Sequence, residues 1–307
     1  MHVVSRRTFL LGSAAALTLA ACGDGGTDTV RSGGAESGGD NGATTADDGL
    51  PIGGGTSPND LVLIRRFAPK TLVTGTQRAP VVLGDINGLL PYESTPPALT
   101  ARILDADGGV AVDSVTAERH GQELEQPYFP FFLSLTAPGV YQLQLTDNEG
   151  AVTAVDVFEP AEVPIPRVGE PLPSVDTPTT GDGRGVDPIC TRDPACSLHD
   201  RSLSAVLGRG EPVAYLIGTP AYCKTAVCGP VLDLLLAEKE RRADFAMIHA
   251  EVYTDDTIET VAPAVTAYQL NFEPVLFVAD PAGLVVARLD SVWDAQELSA
   301  ALDLANT

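Results

Sequence analysis

Hydrophobic and polar residues alternate in two different ways along this chain, and the change divides its folded part into two regions. Between residues 60 and 160, short apolar runs are separated by turn sequences rich in Gly and Asp, a pattern that predicts an all-β region. The predicted strands are 61–64, 80–83, 99–104, 131–135, 138–145 and 151–157.

From residue 211 onward, apolar runs alternate instead with segments of helical periodicity. Because strands that alternate with helices are typical of α/β domains, residues 188–307 are predicted to form one such domain in the order β-α-β-α-β-β-α. The predicted strands are 213–218, 245–253, 275–280 and 284–290, and the predicted helices are 228–243, 257–269 and 294–305.

The end of the β region resembles the last two strands of an immunoglobulin-like sandwich. Two alternating strands follow the sequence Pro138-Gly139-Val140-Tyr141, which places a tyrosine where that family has its tyrosine corner. The resemblance implies an immunoglobulin-like β-sandwich over residues 60–160. Residues 161–187, rich in Pro, Gly and Asp, are predicted to be a linker.

The amino terminus predicts export. Arg6 and Arg7 precede a short apolar run, which resembles a twin-arginine signal and is shorter than the ~20 apolar residues that a permanent membrane span requires. The sequence 19–22 resembles a lipoprotein lipobox, and it implies a 1–22 signal peptide with lipid attached to Cys22. The Gly-, Ser- and Asp-rich residues 23–58 predict a flexible tether. We therefore expect a lipid-anchored protein on the outer face of the bacterial cytoplasmic membrane.

The charge of the chain bears on its partners. With 41 acidic and 19 basic residues, the formal net charge is −22, which repels nucleic acid, and no nucleic-acid partner is expected.

The cysteines are the candidate chemistry. If Cys22 carries lipid, four remain, and an even number of thiols in an exported protein favours disulfides. Four cysteines permit three pairings, and proximity favours a structural Cys190–Cys196 bridge beside a Cys223–Cys228 pair. His199 would add a third zinc ligand to Cys190 and Cys196, but no fourth ligand is evident nearby. No metal or cofactor is therefore predicted.

Cys223 and Cys228 lie between a predicted strand and a predicted helix. Inside one helix, their Cα atoms would be about 8–9 Å apart, beyond the ~7 Å reach of a disulfide. The helix should therefore begin after Cys223, and Pro230, a residue favoured at the first helical position, supports this start. Cys228 would then lie near the helix amino terminus, where a thiolate is stabilised.

This pair, together with Pro274 before the third strand, resembles a thioredoxin-like domain. The resemblance implies a cis-Pro274 facing the cysteines, with Cys223 as the attacking thiol and Cys228 as the resolving thiol. The helix dipole alone would favour the reverse order. The implied function is thiol–disulfide oxidoreduction with protein disulfides or dithiols as substrates and an extracytoplasmic electron donor.

Two departures from that family leave alternatives open. Four residues separate the cysteines instead of two, and strand 213–218 has no buried acid, so that Glu273 is either its replacement or an exposed loop carboxylate. The spacing also resembles one-chain peroxiredoxins, for which Thr219 and Arg288 are imperfect counterparts of the family's residues. A copper chaperone of the Sco type would require a three-residue gap. The third alternative is a non-catalytic binding lipoprotein with structural disulfides.

Overall fold

The computed structural model describes residues 61–306. The signal peptide, the lipobox with Cys22 and the tether 23–58 lie outside the described residues. Within residues 61–306, no helix has both the length and the apolar character needed to cross a membrane.

The first region consists of two sheets. One contains β1, β3 and β4 with β7 paired to β3, and the other has the order β2-β9-β8-β5-β6. All six predicted strands are present, and the structure adds the two-residue strands β2 and β4 and the longer β6, whose side chains are mostly exposed and therefore carry no clear apolar signal. The strands are β1 Val62–Arg65, β2 Leu72–Val73, β3 Gly75–Asp85, β4 Gly88–Leu89, β5 Ala98–Leu104, β6 Val110–Glu118, β7 Phe129–Leu135, β8 Gly139–Leu145 and β9 Val152–Phe158.

A single hydrophobic core lies between these two sheets. Alternate residues of β5, β8 and β9, including the fully buried Ile103, Leu143 and Val155, meet Phe131 of the other sheet there. This is the inward–outward alternation that the sequence predicts. The Tyr141 hydroxyl donates a hydrogen bond to the Ala137 carbonyl at 3.0 Å and so ties the turn before β8 to the sheet.

The segment 161–187, predicted as a linker, is packed against the second region. Val163, Ile165, Leu172 and Val175 are buried in the same core cluster as Tyr215. The segment has no strand or α-helix of its own, as its prolines predict, but its isolated apolar residues are enough to hold it on the sheet.

The second region is a four-stranded sheet with helices around it. The strand order is β11-β10-β12-β13, in which β10 and β11 are parallel and the other neighbours antiparallel. Every residue of β10, β11 and β12 is buried, because core clusters cover both faces of the sheet. The elements are α1 Leu203–Val206, β10 Val213–Ile217, α2 Cys228–Arg241, β11 Ala246–Ala250, α3 Pro263–Tyr268, β12 Val275–Ala279, β13 Val285–Asp290 and α4 Ala295–Asp303.

The predicted element order of this region is confirmed, with shorter elements around β11. The predicted strand 245–253 ends at Ala250, and the predicted helix 257–269 begins only at Pro263. A proline is favoured in the first turn of a helix because it lacks the N–H that would have no partner there.

The two regions are joined by buried polar contacts at the start of α4. Arg78 of β3 donates two hydrogen bonds to the Glu297 carboxylate, at 2.7 and 2.6 Å, and a third to the Val292 carbonyl at 2.6 Å. His120 and the backbone N–H of Gly121 contact the Asp294 carboxylate. Since removal of one partner from a buried ion pair costs about 3–5 kcal/mol, these contacts fix one region on the other.

Candidate functional site

Cys223, in the loop between β10 and α2, and Cys228, the first residue of α2, are joined as a disulfide. Their Cα atoms are 6.0 Å apart, and α2 begins at Cys228, so that the predicted helix start after Cys223 is confirmed. Pro230 is the third helical residue rather than the first. That position suits it equally, because the first four N–H groups of a helix have no intrahelical acceptor.

The two sulfurs differ in exposure. Cys228 is buried, with 1% of its surface exposed, whereas Cys223 is partly exposed and lines a cavity of about 430 Å³. The backbone N–H of Cys228, at the amino terminus of α2, points to Cys223 Sγ at 3.4 Å. The free amide of the helix end therefore favours negative charge on the Cys223 sulfur.

The cavity is bounded by both regions of the molecule. Its walls are largely apolar and aromatic, with Phe67 and Pro69 from the β region and Tyr222, Tyr253 and Phe272 from the second region. The Tyr222 and Tyr253 rings meet edge to face with their centroids 6.4 Å apart. Partly exposed Cys223 therefore lies at the edge of a largely apolar cleft.

Pro274 lies beside the disulfide and its peptide bond is cis, as the resemblance implies. The close approach depends on Gly218 at the end of β10. A Cβ atom added there would lie 3.2 Å from Pro274 Cβ and 3.6 Å from Cys228 Sγ. Glycine is therefore the residue that lets the strand end, the proline and the buried sulfur meet.

Glu273, which is partly buried, supplies the acid that strand 213–218 lacks. Its Oε2 accepts a hydrogen bond from the Thr219 N–H at 2.6 Å and lies 3.5 Å from Cys228 Sγ. Burial raises the pKa of Glu273 to about 7. The interpretation of Glu273 as an exposed loop carboxylate is thus wrong. Its position directly before Pro274 is the signal that identifies it.

The residues that a peroxidase would require are engaged elsewhere. The Arg288 guanidinium donates to the Pro166 and Thr71 carbonyls at 3.1 and 3.3 Å and to Asp290 at 3.0 Å. The Thr219 hydroxyl accepts a hydrogen bond from the Val252 N–H at 2.8 Å.

Cys190 and Cys196 are free, buried thiols in the structure, not the disulfide that sequence proximity favours. Their sulfurs lie with ring nitrogens of His199 and His249, and the four candidate ligand atoms are all within 4.8 Å of one another. The sequence does not reveal this cluster, because it forms only when β11 brings His249 against a loop 50 residues earlier in the chain. A residue so distant in sequence gives no local motif.

Glu251, two residues beyond His249, holds the same loop. Its carboxylate accepts hydrogen bonds from the Thr191 backbone N–H at 2.6 Å and from the Thr191 hydroxyl at 3.2 Å. Burial raises the pKa of Glu251 above its usual range. The Thr191 hydroxyl in turn accepts a hydrogen bond from the Ala221 N–H at 3.1 Å, which links this loop to the loop that carries Cys223.

Comparison with known proteins gives similarity only among solved structures. No protein-family model and no curated protein matches the chain. A Chlorobium tepidum protein assigned as thiol:disulfide interchange protein DsbE is 14% identical, with 45% of this chain and 99% of that chain covered and a TM-score of 0.32. A Bacteroides thetaiotaomicron protein assigned as a protein disulfide isomerase is 15% identical, with 45% and 92% covered and a TM-score of 0.28. By its own strand order, its connections and the disulfide at the end of β10, the second region of this chain has the thioredoxin-like fold.

Proposed function

We propose that this protein is a thiol–disulfide oxidoreductase whose reacting groups are Cys223 and Cys228. One observation carries the proposal: the two bonded sulfurs have different environments suited to different roles. Cys223 lies at a cleft under a helix amide, and Cys228 is buried 3.5 Å from a carboxylate whose pKa is about 7.

In the reducing direction, the Cys223 thiolate attacks one sulfur of a partner disulfide. A bond forms between Cys223 Sγ and that sulfur, the partner's own S–S bond breaks, and the second partner sulfur leaves as a thiolate that takes a proton from water. The partly exposed position of Cys223 permits this in-line approach, whereas buried Cys228 has no path to it. The helix amide at 3.4 Å stabilises the attacking thiolate, so that in this geometry the dipole also favours Cys223.

The second step resolves the mixed disulfide. Glu273 accepts the proton of the Cys228 thiol, and the Cys228 thiolate attacks Cys223 Sγ. The bond from Cys223 Sγ to the partner breaks, and the partner sulfur leaves as a thiolate that takes a proton from water. A carboxylate with a pKa of about 7 suits this transfer, because it can take up and give back a proton near neutral pH. The net result is the Cys223–Cys228 disulfide and a reduced partner, and the oxidising direction is the reverse.

The cleft favours a polypeptide substrate. Its volume of about 430 Å³ and its aromatic walls fit the side chains that flank a cysteine in an extended segment. Phe67 and Pro69 place the β region on one side of this cleft, and we infer that this region contributes to substrate binding.

The setting of this chemistry is also part of the proposal. We infer export by the twin-arginine signal and attachment through lipid on Cys22, with residues 23–58 as the tether and an extracytoplasmic electron donor. The two packed sheets and the Tyr141–Ala137 hydrogen bond support an immunoglobulin-like sandwich for the β region. The peroxidase alternative is not favoured, because Arg288 is bonded away from Cys223.

The proposal is tested with the full chain and its Cys223→Ser and Cys228→Ser variants. We expect the wild type to accelerate dithiothreitol-dependent insulin reduction and Cys223→Ser to be inactive. Cys228→Ser should accumulate a mixed disulfide through Cys223, visible as a mass adduct that dithiothreitol removes. The control is Thr76→Ala, whose hydroxyl pairs with Ser134 on an exposed face.

Two results would overturn the proposal. One is a Cys223–Cys228 reduction potential below about −300 mV with no exchange activity, which is typical of a structural bridge. The other is rapid peroxide consumption that depends on Cys223 without any insulin reduction, which would favour the peroxidase alternative.

A further inference from the structure

A second group of reactive side chains lies outside the disulfide site. Cys190 and Cys196 come from the loop after segment 161–187, His199 follows them, and His249 belongs to β11. All four are buried, and one potential ligand atom from each lies within 4.8 Å of the other three. The thiol–disulfide mechanism uses none of them.

The distances match those around one tetrahedral ion. Zn–S bonds of about 2.3 Å and Zn–N bonds of about 2.0–2.1 Å place two ligating nitrogens about 3.4 Å apart, and a nitrogen and a sulfur about 3.6 Å apart. In the structure, His249 Nδ1 is 3.3 Å from His199 Nε2. The same His249 nitrogen is 3.5 Å from Cys196 Sγ and 3.9 Å from Cys190 Sγ.

The hydrogen bonds orient His249 as a metal ligand. Its Nε2 lies 2.8 Å from the Gly218 carbonyl, and because a carbonyl only accepts, Nε2 must carry the proton. Nδ1 therefore presents its lone pair to the cluster, which is the outer-shell arrangement typical of metal-binding histidines. Three potential hydrogen-bond donors, the two thiols and His199 Nε2, converge on this single lone pair, and at most one of them can donate to it.

We propose that Cys190, Cys196, His199 and His249 bind one zinc ion as a closed structural site. Zn²⁺ with two thiolates is electrically neutral, so that the site can be buried without a further counter-charge. Binding forms two Zn–S and two Zn–N bonds and releases the two thiol protons to water. The short distances among all four ligand atoms leave space for one ion and not for a two-iron cluster, in which cysteines and histidines bind different irons.

Other contacts support the arrangement. The Cys196 backbone N–H points to Cys190 Sγ at 3.3 Å, an N–H···S contact that favours a thiolate there. The backbone N–H of His249 donates to the Leu198 carbonyl at 3.2 Å, and the Lys239 ammonium of α2 donates to the Ser197 carbonyl at 2.7 Å. The loop is thus held on the strand and on the helix that also carries Cys228.

The zinc ion would keep the two pairs of thiols apart. Through Gly218 and through the Thr191–Ala221 hydrogen bond, the site adjoins the loop that carries Cys223. Zinc-bound thiolates are withdrawn from exchange, so that Cys190 and Cys196 would not form disulfides with Cys223 or with a substrate. This consequence rests on the proposed function, but the metal site itself does not.

The test is cobalt(II) titration of the reduced full chain in a Cys223→Ser/Cys228→Ser background. This background lacks the other sulfur pair and has no exchange activity, so that failure of the metal site and failure of the proposed function are distinguishable. We expect one equivalent of Co²⁺ to bind with the visible absorption of tetrahedral thiolate coordination and to be displaced by Zn²⁺. Absence of that spectrum at a one-to-one ratio overturns the proposal.

Two variants in the same background assign the ligands. Cys196→Ser and His199→Asn should weaken Co²⁺ binding by more than the roughly 10- to 100-fold that loss of an outer-shell partner causes. Replacement of exposed Asp200 by Asn, next to His199, should leave binding unchanged. Unchanged binding in both ligand variants would also overturn the proposal. Circular dichroism shows whether each variant folds, and if one does not, the titration of the background protein is still decisive.

Discussion

The two cysteine pairs of this chain have nearly the same spacing, yet they occupy opposite environments. Cys223 and Cys228 are five residues apart and bonded, with one sulfur at a cleft and the other beside a carboxylate. Cys190 and Cys196 are six residues apart, unbonded and buried beside two imidazoles. Neighbouring side chains, and not spacing, therefore distinguish a candidate redox pair from a candidate metal site.

The largest effect on the free energy of unfolding should come from removal of the metal ion, which acts on the Cys190 and Cys196 pair only. Zn²⁺ at about 1,000 times its dissociation constant should raise the free energy of unfolding by about 4 kcal/mol. Reduction of the short Cys223–Cys228 loop should lower it by only about 2 kcal/mol. Urea unfolding with chelator or with reductant measures both. Equal or reversed effects would remove the contrast between the pairs.

Glu273→Gln should slow resolution of the mixed disulfide about 100-fold, because it removes the group that accepts the Cys228 proton. The first attack by Cys223 should be nearly unchanged. Quenched-flow detection of the mixed disulfide separates the two steps, and exposed Glu259→Gln is the matched control. Equal slowing of both steps would point to a general structural role for Glu273.

Gly218→Ala should destabilise the protein by about 2 kcal/mol through overpacking. The added Cβ would lie 3.2 Å from Pro274 Cβ, whereas nothing lies within 4 Å of a Cβ at Gly229, so that Gly229→Ala is the matched control. Thermal unfolding compares the two variants. Because the Gly218 carbonyl accepts from His249, Gly218→Ala should also alter Co²⁺ binding, which Gly229→Ala should not.

The smallest effect is on the pH dependence of stability. The pKa of Glu273 is about 7 in the folded protein and about 4.5 in the unfolded chain, so that the folded state binds more protons between these values. Stability should therefore fall by about 1–2 kcal/mol as pH rises from about 4.5 through 7, with allowance for partial exposure. Glu251, whose pKa is also raised, contributes in the same direction. The difference between wild type and Glu273→Gln isolates Glu273, and no difference in slope would show that Glu273 is not desolvated.

Much of the second region could be predicted from local pattern. The apolar runs that become β10 and β12 are continuous and buried, and the spacing of Cys223 and Cys228 requires a helix start between them. The strand β6 and the packing of segment 161–187 were harder to predict. Their apolar residues are either exposed or isolated between prolines, so that no periodic signal marks them.

The sequence by itself determined the element order and the placement of Cys223 and Cys228 between β10 and the body of α2, because both follow from short-range pattern and chain geometry, whereas the place of Pro274 beside them came from the resemblance to thioredoxin-like domains. Only the tertiary structure decided what surrounds each cysteine pair. Glu273 reaches Cys228 from 45 residues away, and His249 reaches Cys196 from 53 residues away. Such contacts depend on how strands pair within the sheet, and no local pattern records that pairing.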